Sequence, residues 1–102
     1  MLEKDFYQLC ENELSKLFDE LEKFDVNSDF DIDCADGILK ITLQDGKTYV
    51  INRNSGNQKI WYSSPFSGAD YFAFNAEKKA WENDKNQELS IKLFSEIKSN
   101  LN

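Results

Sequence analysis

The stretch Asp29-Phe30-Asp31-Ile32-Asp33-Cys34 alternates acidic and apolar residues. A two-residue period marks a strand with one face buried and the other in water. The spacing predicts a strand over 29–35, with Phe30, Ile32 and Cys34 inward and Asp29, Asp31 and Asp33 in a row on the other face. Successive carboxylates of such a row stand roughly 6.5–7 Å apart, at about 3.3 Å of rise per residue. Like charges so placed repel one another, and a fold that keeps them has a use for them.

Working outward, residues 19–36 read DELEKFDVNSDFDIDCAD, eight acids against the single base Lys23. Residues 1–36 hold twelve acids and three bases, a net of −9, whereas residues 37–102 hold seven acids and nine bases, a net of +2. The acidity is therefore a local field. Such a field draws cations and basic protein surfaces and repels nucleic acid.

Upstream, residues 4–24 read as one long helix. Phe6, Leu9, Cys10, Leu14, Leu17, Leu21 and Phe24 recur at three- and four-residue spacing and make one apolar stripe. Glu11, Ser15, Asp19 and Glu22 fall on the opposite, solvent face, while Glu13 and Glu20 flank the buried seam. Asp19 and Glu22 sit toward the helix C-terminus, where acids oppose the macrodipole at about 0.3–1 kcal/mol each. Residues 25–28 form a connecting turn.

Downstream, Asp36-Gly37 is a hairpin signal. A second strand covers 38–44, with Leu39, Ile41 and Leu43 on one face. Asp45-Gly46 turns into a third strand over 47–53. After a loop at 54–57, a fourth strand covers 58–63. There Ile60 and Tyr62 face the core and Trp61 stands on the open face, either half-buried by neighbouring side chains or a good anchor for a partner. A loop at 64–68 leads to strands over 70–75 and 79–82, then a polar turn at 83–86. A helix over 88–100 closes the chain, with Leu93, Phe94, Ile97 and Leu101 as its stripe. The order predicts an α+β two-layer sandwich: N- and C-terminal helices packed on one face of an antiparallel meander, the other face wet.

Composition narrows the function classes. A chain of 102 residues, 40% apolar and 14% aromatic, is a single folded domain spanning 1–102. No apolar run approaches the roughly 18 residues that cross a bilayer. The opening MLEKDFYQLCENEL has acids where a signal or transit peptide has bases, so a cytoplasmic protein is expected. The two cysteines lie among core-type neighbours and read as reduced thiols. With no histidine, the usual general base, the Ser-His and Cys-His nucleophile systems and most zinc sites are excluded.

Any metal must then be held by oxygen, and carboxylates suit hard cations. The calcium loop of an EF-hand is excluded: started at Asp25, its glycine position holds Phe30 and its bidentate Glu position holds Asp36. Started at Asp29, the same positions hold Cys34 and Lys40. Residues along one strand do not converge on one ion, so weak, multiple and labile cation binding on an open ridge is expected. The alternative reading of the same ridge is a docking surface for a basic partner, and the two uses are compatible. Paired carboxylates of the glycosidase kind need a cleft that pushes their pKa values apart, which a surface ridge does not provide. The four glycines are scattered and make no phosphate loop.

The segments Tyr49-Val50-Ile51-Asn52-Arg53 and Gln58-Lys59-Ile60-Trp61-Tyr62-Ser63-Ser64-Pro65-Phe66-Ser67-Gly68 resemble the central signature of the frataxin family, whose bacterial branch is called CyaY. The run from Asp29 to Ile41 resembles that family's acidic first strand and hairpin, and the terminal helices fit as well. The resemblance implies the same helix-on-sheet fold and a role in iron–sulfur cluster assembly, as an accessory binding protein and not an enzyme. It implies ferrous and ferric iron, weakly and reversibly held on a ridge formed here by Asp19, Glu22, Asp25, Asp29, Asp31 and Asp33. It implies contacts to the cysteine desulfurase and the cluster scaffold protein, with Asn52 and Trp61 on the sheet face, by a monomer that binds neither nucleic acid nor membrane. The chain departs from the family pattern at Lys59, where many relatives have Gln, and at Gly56, where Pro is common. Lys23 and Asn27 also interrupt the acidic run, which bears on the number and strength of iron sites. The alternative is a ferroxidase or iron-storage protein. That would need carboxylates converging on two metals, as Glu-x-x-His helices provide in bundle proteins.

Overall fold

The periodic seam of Phe6, Cys10, Leu14, Leu17 and Leu21 becomes the buried face of helix α1, Glu3–Phe24. Glu3 and Asp5 in its first turn and Lys23 in its last complement the helix macrodipole. The computed structural model describes residues 1–101. After α1 come β1 (Asp31–Ala35), β2 (Ile38–Thr42), β3 (Thr48–Asn54), β4 (Lys59–Ser64), β5 (Gly68–Asn75), β6 (Ala80–Glu82) and helix α2 (Leu89–Ser99). The six strands lie in sequence order, every neighbouring pair antiparallel.

Alternation along the strands decides the layers. Leu39, Ile41, Tyr49, Ile51, Ile60, Tyr62, Phe72 and Trp81 are buried together with the α1 seam and with Leu89, Leu93 and Ile97 of α2. Both helices therefore cover the same face of the sheet, the two-layer sandwich that the sequence predicts. The opposite face carries Asp31, Asp33, Lys40, Asn52, Trp61 and Tyr71, all exposed or half-buried. The Asp36-Gly37 turn has φ of +53° and +77°, the left-handed pair that a two-residue hairpin requires.

Most boundaries shift by one or two residues from the sequence expectation, the fifth strand starting at Gly68 and not at 70, and three of the differences have a local reason. The first strand begins at Asp31, not at 29, because the amides of Asp29 and Phe30 donate to the Asp25 side chain and are withdrawn from the ladder. The second strand ends at Thr42, because Leu43 N–H donates to the Lys47 carbonyl at 2.8 Å and closes the hairpin loop. Leu101 lies beyond the end of α2 and is exposed, while Leu89 in the first turn takes its place in the core.

Candidate functional site

The acidic residues cover a helix end, a turn and an edge strand. Asp19 and Glu22 are exposed on α1, and Asp29 is exposed in the turn. Asp31 and Asp33 are exposed on β1 because Ile32 and Cys34 alternate with them toward the helices. Since β1 ends the sheet, carboxylates flank it on two sides: Asp19 and Glu22 on the helix layer, Asp31 and Asp33 on the open face. Among the described residues, no three acidic or thiol groups converge to share a metal ion. The arrangement is an open ridge of carboxylates.

Two members of the ridge have neighbours that change their roles. Asp25 is half-buried at the end of α1, and its carboxylate faces inward over the turn. Its Oδ1 accepts from Asp29 N–H at 2.8 Å and its Oδ2 from Phe30 N–H at 2.9 Å. Both oxygens thus hold the α1–β1 connection and seat Phe30 against Phe24, ring centroids 6.3 Å apart. Asp33 faces Lys40 across the β1–β2 ladder, so its charge has an opposite neighbour. Counting back from a two-residue Asp36-Gly37 turn gives that pairing from the sequence alone. The Asp25 contacts have no such signal.

The thiols do not join the donor set. Burial pushes the Cys34 thiol up, and the nearby charges of Asp33 and Glu11 push it further. Burial raises Cys10 to about 12, against a small opposing pull from Arg53. Both cysteines are free and neutral, so hard-oxygen chemistry is what this surface offers.

On the open face, the register aligns Ile38 with Asn52, Asn52 with Trp61, and Trp61 with Tyr71, one row across four strands. Asn52 Nδ2 donates to the Arg53 carbonyl at 3.0 Å, which fixes the amide plane. Trp61 is half-buried, while Ile38 and Tyr71 are 46% and 42% exposed. The row continues the anchor expected at Trp61, and its ends, Ile38 and Tyr71, lie outside the residues that sequence reasoning singled out. Lys59 stands on the same face, two residues before Trp61.

A polar cluster beneath the sheet also escapes sequence reasoning. Glu96 of α2 accepts at Oε1 from Tyr49 OH (3.0 Å), Tyr62 OH (2.8 Å) and Ser64 Oγ (2.7 Å), and at Oε2 from Ser67 Oγ. Burial raises the Glu96 carboxyl, but the hydroxyls of Ser67, Ser64, Tyr62 and Tyr49 outweigh it and hold its pKa below the ordinary Glu value. Burial, with the adjacent Glu96, holds both tyrosines well above theirs. Ser64 Oγ also accepts from the amides of Phe66 and Ser67, so Glu96 fastens the 64–68 loop and α2 together.

A helix-covered antiparallel sheet with an acidic edge and a row holding Trp61 and Tyr71 on its bare face defines an acidic α+β two-layer domain. The chain belongs to the frataxin family: the family model described as a frataxin-like domain matches residues 1–102. It is 34% identical over 79 residues to the iron-sulfur cluster assembly protein CyaY of Thioalkalivibrio sulfidiphilus, covering 78% of this chain and 73% of that one. It is 31% identical over 102 residues to mitochondrial frataxin of Arabidopsis thaliana, covering 97% of this chain and spanning 54% of that relative's length. Among solved structures, trimeric frataxin from Saccharomyces cerevisiae, complexed with ferrous iron, superposes with a TM-score of 0.77 at 27% identity, over 89% of this chain and 83% of the other. Frataxin from Psychromonas ingrahamii shares the fold with a TM-score of 0.76 at 20% identity, over 98% of this chain and 92% of that one. No helix among the described residues is long and apolar enough to cross a membrane.

Proposed function

We propose that this chain is an iron-binding accessory protein of iron–sulfur cluster assembly, which docks its acidic ridge on the cysteine desulfurase complex. The observation that carries the reading is the open, non-convergent row of carboxylates along the β1 edge of a frataxin-family domain. Asp19, Glu22, Asp29, Asp31 and Asp33 offer single oxygens that a hydrated ferrous or ferric ion takes while keeping most of its water shell. Such binding is weak and reversible. Asp25 adds charge to the same field while its oxygens hold the turn. Iron here is cargo or signal.

The same charges steer the ridge onto a basic surface and set the on-rate and its salt dependence. Charge alone does not fix an orientation. Asn52 and Trp61, in the open-face row, supply the directional and apolar contacts to the assembly machinery, including the scaffold protein. The family relationship supports a role with the assembly machinery, since a bacterial relative is named an iron-sulfur cluster assembly protein. The protein acts as a cytoplasmic monomer in this reading.

The test measures the rate of cluster assembly by a desulfurase and scaffold, with and without this chain, at controlled iron. A changed rate is expected, with a complex that Asp31→Asn/Asp33→Asn weakens in a salt-dependent way and Trp61→Ala weakens at all salt concentrations. An unchanged rate together with no detectable complex overturns the proposal.

A further inference from the structure

On the helix side of the sheet, away from the open face, a cleft of about 350 Å³ separates the middle of α1 from the β1–β2 turn. Its lining includes Glu11 and Ser15 of α1, Cys34, Asp36 and Gly37 of the hairpin, and Arg53 at the end of β3. Arg53 is half-buried, and its guanidinium carbon sits 4.3 Å from the centroid of the Tyr7 ring. Gly37 makes room for it: a side-chain carbon there would lie 2.7 Å from the guanidinium carbon. The side chain is thus held by stacking and by a missing methyl, with its charge directed at the cleft.

Among the described residues Arg53 forms no ion pair, although two carboxylates share its cleft. A half-buried guanidinium has five N–H donors in a planar fork, suited to a carboxylate. A simple anion entering here would meet Glu11 and Asp36, and a simple cation would meet Arg53. A ligand carrying both signs meets neither repulsion. The remaining wall fits such a ligand: Ser15 offers a hydroxyl, and Cys34, whose thiol is held neutral, adds no charge. The volume lies at the small end of the roughly 300–1,000 Å³ range of small-molecule sites.

We propose that this cleft binds a small zwitterion of the α-amino acid class, its carboxylate on Arg53 and its ammonium on Glu11 and Asp36. No bond is made or broken in this step. The site is separate from the acidic ridge and the open-face row, and it stands or falls independently of the role in cluster assembly.

An amide NMR titration of the full chain tests it, with glycine, L-alanine and L-serine as probes, and acetate, methylammonium and inorganic phosphate as single-charge controls. Saturable shifts are expected at Ser15, Cys34, Asp36, Gly37 and Arg53 with the amino acids, and at least about tenfold weaker responses with the controls, since each control forfeits one charged contact. Arg53→Gln and Glu11→Gln each weaken amino-acid binding by about tenfold or more, while Glu77→Gln, exposed and outside the cleft, leaves it unchanged. Glu11 is an exposed helix residue, so its variant reads binding even if Arg53→Gln loosens the fold. No saturable shift with any amino acid, or equal shifts with acetate or phosphate, overturns the proposal, as does unaltered binding in Glu11→Gln.

Discussion

Replacing Asp25 by Ala removes both acceptors from the amides of Asp29 and Phe30. A hydrogen bond to a charged group contributes about 1.5–3 kcal/mol where water is excluded. Asp25 is only half-buried, so water takes back part of that. Comparison with helix-cap removals gives a net loss of about 1–2 kcal/mol for the pair. At about 4–8 °C per kcal/mol for a domain of this size, the melting temperature falls by roughly 4–16 °C. Asp31→Asn moves the other way. Its carboxylate accepts no hydrogen bond among the described residues, and neutralising it relieves repulsion worth about 0.2–0.5 kcal/mol. Thermal unfolding by circular dichroism, in low and high salt, separates the two effects, because the Debye length shrinks from about 30 Å at 0.01 M to about 3 Å at 1 M. The Asp25→Ala loss persists in both salts, and the Asp31→Asn gain disappears in high salt. An Asp25→Ala variant that melts at or above wild type, or an Asp31→Asn variant that melts lower in low salt, refutes the reasoning.

Glu96→Ala leaves the buried hydroxyls of Tyr49 and Tyr62 without their acceptor and costs about 2–4 kcal/mol, read by urea unfolding. Because the folded Glu96 pKa is lowered, its stabilisation is complete above the ordinary value of about 4.3 and is lost as pH falls through the folded value. Stability plotted against pH should therefore show a shallower acid limb in Glu96→Gln than in wild type. Gly37→Ala combines a left-handed φ of +77° with a contact of 2.7 Å to Arg53, and destabilises by about 1–2 kcal/mol or more. Trp61→Ala gives up the half-buried part of the ring and its cross-strand neighbours, about 0.2–1 kcal/mol per pair, so the melting temperature falls by a few degrees, and partner affinity, measured by calorimetry against the desulfurase–scaffold complex, is lost at a temperature where the variant is folded.

The edge strand was legible because its period of two reports backbone geometry directly: Asp31 and Asp33 out, Ile32 and Cys34 in. The α1 seam was legible for the same reason at the helical period. What was hidden is what long-range packing decides. Nothing near Glu96 in the chain announces acceptors for hydroxyls 29 to 47 positions away. Asp25 reads as one more ridge acid, and only the fold of the turn shows both its oxygens engaged. The Lys40 partner of Asp33 was available from hairpin arithmetic, since a two-residue turn fixes every pair behind it. Leu101 matched the apolar period of α2 but lies past its end, where periodicity has no authority.

The central claim is that the β1 edge and the end of α1 attract iron as an open ridge. Ferrous iron added to the labelled chain, followed by amide NMR under anaerobic conditions, tests it most directly. The account predicts progressive broadening around Asp19, Glu22, Asp29, Asp31 and Asp33, reversed by a chelator, with Trp61 and its row unaffected. Broadening centred elsewhere, or none at all, contradicts it.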